Sequence, residues 1–185
     1  MKKTLIVIVI IVVILGIYSW TSYNGLITIR EGATAQWQQV ETQYQRRFDL
    51  IPSIVSATKA VLVQEQKVFN DIAAARAHYA GAQGVNDKVT ATTEVESALS
   101  RLLVIVENYP NLRSSETVRD LMTQLEGTEN RISTERGRFN DAVRTYETAI
   151  KKFPKNILAD MFGFGDLNYF EADKSAATAP KVELM

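Results

Sequence analysis

The sequence predicts an all-α protein: an N-terminal transmembrane helix followed by an antiparallel four-helix bundle with long helices. Three observations predict this. Leu5 to Tyr18 reads as an unbroken apolar run without a charged side chain. Downstream, apolar residues recur at helical rather than alternating spacing. Only four prolines, at 52, 110, 154 and 180, and nine glycines interrupt the 185 residues.

The apolar run extends to Tyr23, about 18 to 19 residues, enough at 1.5 Å each for a hydrocarbon core of roughly 30 Å. Its Ile and Val favour strands in water, but in lipid a lone segment satisfies its backbone only as a helix. Tyr18, Trp20 and Tyr23 fall where an interfacial aromatic belt sits. The run is longer than a signal-peptide core, and Tyr18-Ser19-Trp20 offers no small-residue cleavage site, so it is read as retained. Lys2 and Lys3 precede it, and the next basic residue is Arg30. The positive-inside rule then puts the N-terminus in the cytoplasm and the body outside. The organisation is a membrane anchor over 1–23, a helical bundle over 24–172 and a loosely held tail over 173–185.

Helix one is expected from about Asn24 to Asp49. Leu26, Ile29, Ala33, Trp37, Val40, Tyr44, Phe48 and Ile51 follow spacings of 3, 4 and 4, an eleven-residue repeat. No proline parts it from the anchor, and Gly25 is the natural flex point. Pro52 suits the first turn of helix two, whose apolar side carries Ile54, Val55, Val61, Leu62, Val68, Phe69, Ile72 and Tyr79. Gly81 to Asp87 reads as a loop. Helix three, about Lys88 to Asn108, presents Val95, Leu99, Leu102, Leu103 and Val106 before Tyr109-Pro110 stops it. Ser114 or Ser115 is placed to cap helix four, with Glu116 in its first turn. That helix keeps its apolar phase from Val118 through Leu125, Ile132, Phe139 and Tyr146 to Phe153, where Pro154 ends it. The aromatic, glycine-broken stretch from Ile157 to Ala172 folds back to close one end of the bundle.

Several stretches in order resemble a known family. Gln43-Tyr44-Gln45-Arg46-Arg47-Phe48-Asp49-Leu50-Ile51-Pro52 is similar to its motif joining helices one and two. Leu125-Glu126-Gly127-Thr128-Glu129-Asn130-Arg131-Ile132, with Phe139-Asn140 and Ala142-Val143, resembles its motif in helix four. Phe153-Pro154 and Tyr169-Phe170-Glu171-Ala172 resemble its C-terminal signature, and Tyr23-Asn24, Arg30-Glu31 and Trp37 extend the match. The family is LemA, bacterial membrane proteins. The resemblance implies a single-pass anchor in the bacterial cell (inner) membrane and a four-helix bundle; it implies no reaction, cofactor or ligand. Phe48 departs from it, standing where the family often has Tyr, so a hydroxyl-dependent role does not carry over there.

The composition excludes several functions. Lys+Arg and Asp+Glu both number 21, which leaves no basic footprint for nucleic acid. The absence of cysteine removes disulfides, thiolate metal sites and cysteine nucleophiles. A di-iron bundle site wants Glu-x-x-His pairs, but the one histidine, His78, has Ala75 three residues before it. His78 is read as solvent-facing or dipole-facing, and Arg46-Arg47 as ion-paired to the bundle's acids. Gly163-Phe164-Gly165 follows no strand and is no phosphate loop. No catalytic residue, metal site or cofactor site is assigned, and the chain is read as no enzyme.

Two surfaces remain. Glu126, Glu129, Asn130 and Arg131, around Gly127, form the densest polar cluster on helix four. As a site, it would use Gly127 to admit a neighbouring backbone; otherwise it is a solvated face with local pairing or a buried network that fixes register. On helix one, Glu41 is the only charge between Glu31 and Arg46, and Gln36, Gln39 and Gln43 lie on a charge-poor side. Charge depletion marks interface cores, so this is a candidate contact surface for a protein partner or a second copy. Neighbouring helices covering the face would explain it equally. The expected function is a membrane-anchored interaction or scaffold protein that engages a protein partner or self-assembles, with the lipid bilayer contacted through Leu5–Tyr23. The alternative is an extracytoplasmic ligand-binding sensor acting through a partner, since only about four residues precede the span.

Overall fold

The computed structural model describes residues 2–59 and 65–171. Val61, Leu62 and the tail 173–185 lie outside them. The described residues are helical apart from short connections and a C-terminal strap, and contain no strand.

Helix α1 runs without a break from Lys2 to Lys59, 58 residues and about 87 Å. From Leu5 to Ile17 its large apolar side chains are exposed all round. From Leu26 onward it buries Ala33, Trp37, Val40, Tyr44, Phe48 and Ile51, the expected stripe, with Ile29 half-buried. Pro52 does not open a new helix, contrary to expectation; it lies inside α1. Losing one N–H leaves only the Phe48 carbonyl without its usual donor. The Pro52 ring is exposed, while Ile51, Ile54 and Thr58 stay buried in phase with Tyr44 and Phe48. Burial of that continued stripe outweighs the lost hydrogen bond, so Ile54 and Val55 belong to α1.

Helix α2 spans Gln66–Gly81 and α3 spans Gly84–Asn108. Only Ala82 and Gln83 separate them, so the loop is much shorter than the expected Gly81–Asp87. Ala82 donates its N–H to the His78 carbonyl, and Gly84 adopts φ +78, which restarts the chain into α3. Asp87 falls in that helix's first turn. The short α4, Pro110–Arg113, has its proline at the start. Helix α5, Glu116–Lys151, is 36 residues, about 54 Å. Ser115 occupies its cap position but makes no side-chain cap bond, and Ser114 donates instead to the Asn111 carbonyl. The helix stops short of Phe153, which is 80% exposed rather than part of the apolar stripe. Helix α6, Lys155–Phe162, ends at Gly163 in the left-handed conformation, φ +72. The strap 164–171 follows.

The long helices form two antiparallel pairs. Trp37 meets Phe139 and Arg47 meets Glu129 along α1 and α5. Asp71 pairs with Arg101, and His78 with Glu94, along α2 and α3. One core runs through all four, and Tyr79 of α2 packs its ring on Tyr44 and Phe48 of α1. A smaller cluster of Leu26, Tyr146, Ile150, Ala159 and Phe164 closes the end next to the exposed apolar segment. Helices α3 and α5 stay apart, leaving a cleft between them.

Candidate functional site

The cleft of about 1310 Å³ is lined by α3 and α5, by Arg47 of α1 and by the strap. The strap is held on both sides. Tyr146 donates to the Gly165 carbonyl at 2.8 Å, and the Leu167 N–H donates to Glu147 at 2.7 Å. Asn140 brackets Phe170, donating to its carbonyl at 3.0 Å and accepting from its N–H at 2.9 Å. Across the gap, the Asn168 N–H donates to Asn86 at the start of α3 at 2.8 Å. The Phe170 ring then stacks on Trp37 and meets Phe139 edge-on.

Beneath the strap lies an ionic network. The Tyr44 hydroxyl donates to Glu96 at 2.7 Å, and Arg136 donates to both of them. The Arg136 guanidinium also sits 4.6 Å from the Phe170 ring centroid, a cation–π contact. Arg47, 4% exposed, pairs with Glu129 at 2.6 Å and stands 4.0 Å from Glu96. Its Nε and Nη1, and Nε of Arg136, have no hydrogen-bond partner among the described residues. Burial raises the Tyr44 hydroxyl far above its ordinary range, and the Glu96 carboxylate adds to this, so Tyr44 stays a protonated donor. Burial, with Glu41 nearby, likewise raises Tyr79.

The cleft lining carries three cations, Arg47, Arg136 and Lys151. Against them stand six acids, Glu96, Glu126, Glu129, Glu147, Asp166 and Glu171, a formal balance of −3. Among the described residues no group of three or more His, Asp or Glu side chains is arranged to hold a metal ion.

The candidates read from sequence separate here. Of the polar cluster, Glu129 enters the network through Arg47, whereas Glu126, Asn130 and Arg131 face water. Glu126 also lines the cleft. Gly127 admits no neighbouring backbone, because a Cβ there would meet nothing within 4 Å. On α1, Gln36 is half-buried and donates to Glu135 of α5 at 2.9 Å, Gln43 is half-buried beside Arg46, and Gln39 is exposed. Of the two arginines, Arg47 is ion-paired, while Arg46 is exposed. His78 is exposed and paired with Glu94 at 2.8 Å.

Sequence reasoning missed Glu96 and Arg136. A signal existed. Glu96 stands four residues after buried Thr92 and three before buried Leu99, and Arg136 stands likewise between Ile132 and Phe139. Charged residues at the edge of an apolar stripe are placed to reach into a core.

A body of long helices among the described residues behind an exposed apolar N-terminal helix, with an aromatic strap over a Tyr–Arg–Glu network, defines the class of protein. Residues 36–184 match the LemA family, and the chain belongs to it. The segments quoted from the sequence converge on this one site. Tyr44 and Arg47 come from the first, Glu129 and Phe139-Asn140 from the second, and Phe170 from the last. The chain is 30% identical to magnetosome protein MamQ of Magnetospirillum gryphiswaldense, over 85% of this chain and 67% of MamQ. Magnetosome proteins MamQ 1 and MamQ 2 of Paramagnetospirillum magneticum show the same identity and coverage.

Proposed function

We propose that this chain is a membrane-anchored, non-catalytic interaction protein. Leu5–Tyr23 crosses the bilayer, the body is an antiparallel four-helix bundle on the extracytoplasmic side, and the bundle engages a protein partner or a second copy. The observation that carries the reading is α1 itself. It passes unbroken from side chains exposed on every face into the buried core, so an anchor here would be rigidly joined to the body. The MamQ relatives are named as magnetosome proteins, which is in keeping with an assembly role. Confinement to one membrane plane raises effective concentration, so a weak contact suffices for assembly.

Gln39 and Gln43, on the charge-poor side of α1, are the proposed contact. Crosslinking in membranes, with full-length protein and with Gln39→Lys/Gln43→Glu, tests this. Loss of a higher-order species in the variant with helicity intact supports it, and an unchanged pattern refutes it. A reporter fused at Met185 that is active only outside the cytoplasm tests the orientation. A cytoplasmic signal would reverse it.

One observation favours a second reading, a ligand-binding module acting through a partner. Arg47, buried in the cleft wall, has its Nε and Nη1 nitrogens without a hydrogen-bond partner among the described residues. With a lining charge of −3, the fitting ligand carries both an acid and a cation, as an amino acid does. A thermal-shift screen of zwitterionic amino acids against wild type and Arg47→Met checks it; equal responses would dismiss it.

A further inference from the structure

We propose that α6 lies in the membrane interface beside the span, with Ile157, Met161 and Phe153 in contact with lipid and Lys152 and Lys155 meeting anionic headgroups. This rests on the reading of Leu5–Tyr23 as a membrane anchor.

Level comes first. The antiparallel register that sets Trp37 on Phe139 and Arg47 by Glu129 brings Lys151, the last residue of α5, level with Gly25, two residues past Tyr23, where the apolar segment of α1 ends. Direct contacts agree: the Phe162 ring lies 4.8 Å from Tyr23, and Phe164 lies 5.8 Å from it. The helix therefore sits at the height of Trp20 and Tyr23, residue types that favour the boundary between acyl chains and headgroups.

Its exposed face is apolar. Leu158 and Ala159 turn into the body, leaving Phe153 80%, Met161 65%, Ile157 56% and Phe162 49% exposed. Ile157 and Met161, four residues apart, lie on one face of α6, and Phe153 stands in the turn just before the helix. Large apolar side chains clustered on one short helix mark an interaction site. This face is continuous through Phe162 and Tyr23 with the exposed apolar surface of α1, so the bilayer that would cover one reaches the other.

Charge fits the same surface. Lys151 is already paired with Glu147 and Asp166, but neither Lys152 nor Lys155 makes an ion pair among the described residues. Long lysine stems lie along apolar surface and raise the ammonium to the headgroups. Asp160, exposed at the border of that face, marks the side turned to water.

The chain has no cysteine, so single labels are unambiguous. Full-length Ile10→Cys, Met161→Cys and Thr123→Cys, each carrying a fluorophore, are reconstituted in phosphatidylcholine vesicles containing chain-brominated lipid, with and without phosphatidylglycerol. By the same register, Thr123 lies about 45 Å along the bundle from Tyr23. The expected result is strong quenching at Ile10 and, at Met161, quenching several-fold above that at Thr123. Phosphatidylglycerol should increase it, and Lys152→Gln/Lys155→Gln should abolish that increase. Quenching at Ile10 with Met161 no higher than Thr123 would overturn the proposal and leave the anchor standing. An unquenched Ile10 would remove the anchor and the proposal together. A disulfide-linked dimer through unlabelled Met161→Cys, without lipid quenching, would assign the face to a second copy and refute lipid contact. Insensitivity to phosphatidylglycerol would refute the headgroup contact.

Discussion

Arg47 and Glu129 form a pair whose two members should respond very differently to removal. Glu129→Ala leaves the guanidinium of Arg47, only 5% exposed at its side chain, with Glu96 at 4.0 Å and no close acid. Breaking a buried pair from one side costs about 3–5 kcal/mol, because the surviving charge stays buried. Glu129 is itself 46% exposed and Glu96 still stands near, which brings the cost below that range, to about 2–3 kcal/mol. For a chain of this size, that lowers the melting midpoint by about 4–12 °C. Arg47→Met instead removes the buried charge and keeps most of the volume. Glu129 then turns to water, and Glu96 keeps Arg136 and Tyr44. Replacing a buried ion by an apolar side chain of similar length is often neutral or stabilising, so the change should stay within about 1 kcal/mol. The double variant should melt with Arg47→Met, giving a coupling of about 2 kcal/mol. The assay is thermal loss of helical circular dichroism in one detergent for all four proteins. If Arg47→Met lowered the midpoint more than Glu129→Ala, the unpaired-charge reasoning would be wrong, and Arg47 would hold the helices by contacts other than the ion pair.

Leu125→Ala, 2% exposed on α5, should cost about 2–5 kcal/mol in the same assay. Pro52→Ala should raise the midpoint, gaining about 1–3 kcal/mol by restoring the donor to the Phe48 carbonyl on an exposed face. An unchanged or lower midpoint would mean that the proline is favoured in place. Alkaline stability should depend on Tyr44. Its hydroxyl is raised above the ordinary 10.0 by burial and then by Glu96, so the folded chain holds that proton more tightly than the unfolded one. Stability is then full below that value and falls as pH climbs above it. Tyr44→Phe should flatten the fall in a series of melts from neutral to strongly alkaline pH.

Helix existence was legible because burial on one face leaves a 3.6-residue signature that requires no knowledge of the partner. The stripe from Leu26 to Ile51 and the core positions Val95, Leu99, Leu125, Ile132 and Phe139 follow from it directly. Boundaries were less legible. Pro52 carries a local penalty that the sequence shows, but the burial of Ile54 and Thr58 that offsets it exists only once neighbouring helices are in place. The start of α3 depended on Gly84 taking a positive φ, which shortens a glycine-rich stretch that alone reads as a loop.

By itself, the sequence determined the helical class, the exposed apolar segment and the family, since each is written in periodicity, composition or ordered motifs along one chain. Tertiary structure alone decided which polar residues act together. Tyr44, Glu96, Arg136 and Glu129 lie on three helices, and the edge-of-stripe positions of Glu96 and Arg136 show that each can reach inward but not which residues it meets. Glu126, Asn130 and Arg131 looked equally promising but point to water. Whether a charge on a helix is solvated or buried is set by what lies opposite its face, and the residues opposite are dozens of positions away in the chain.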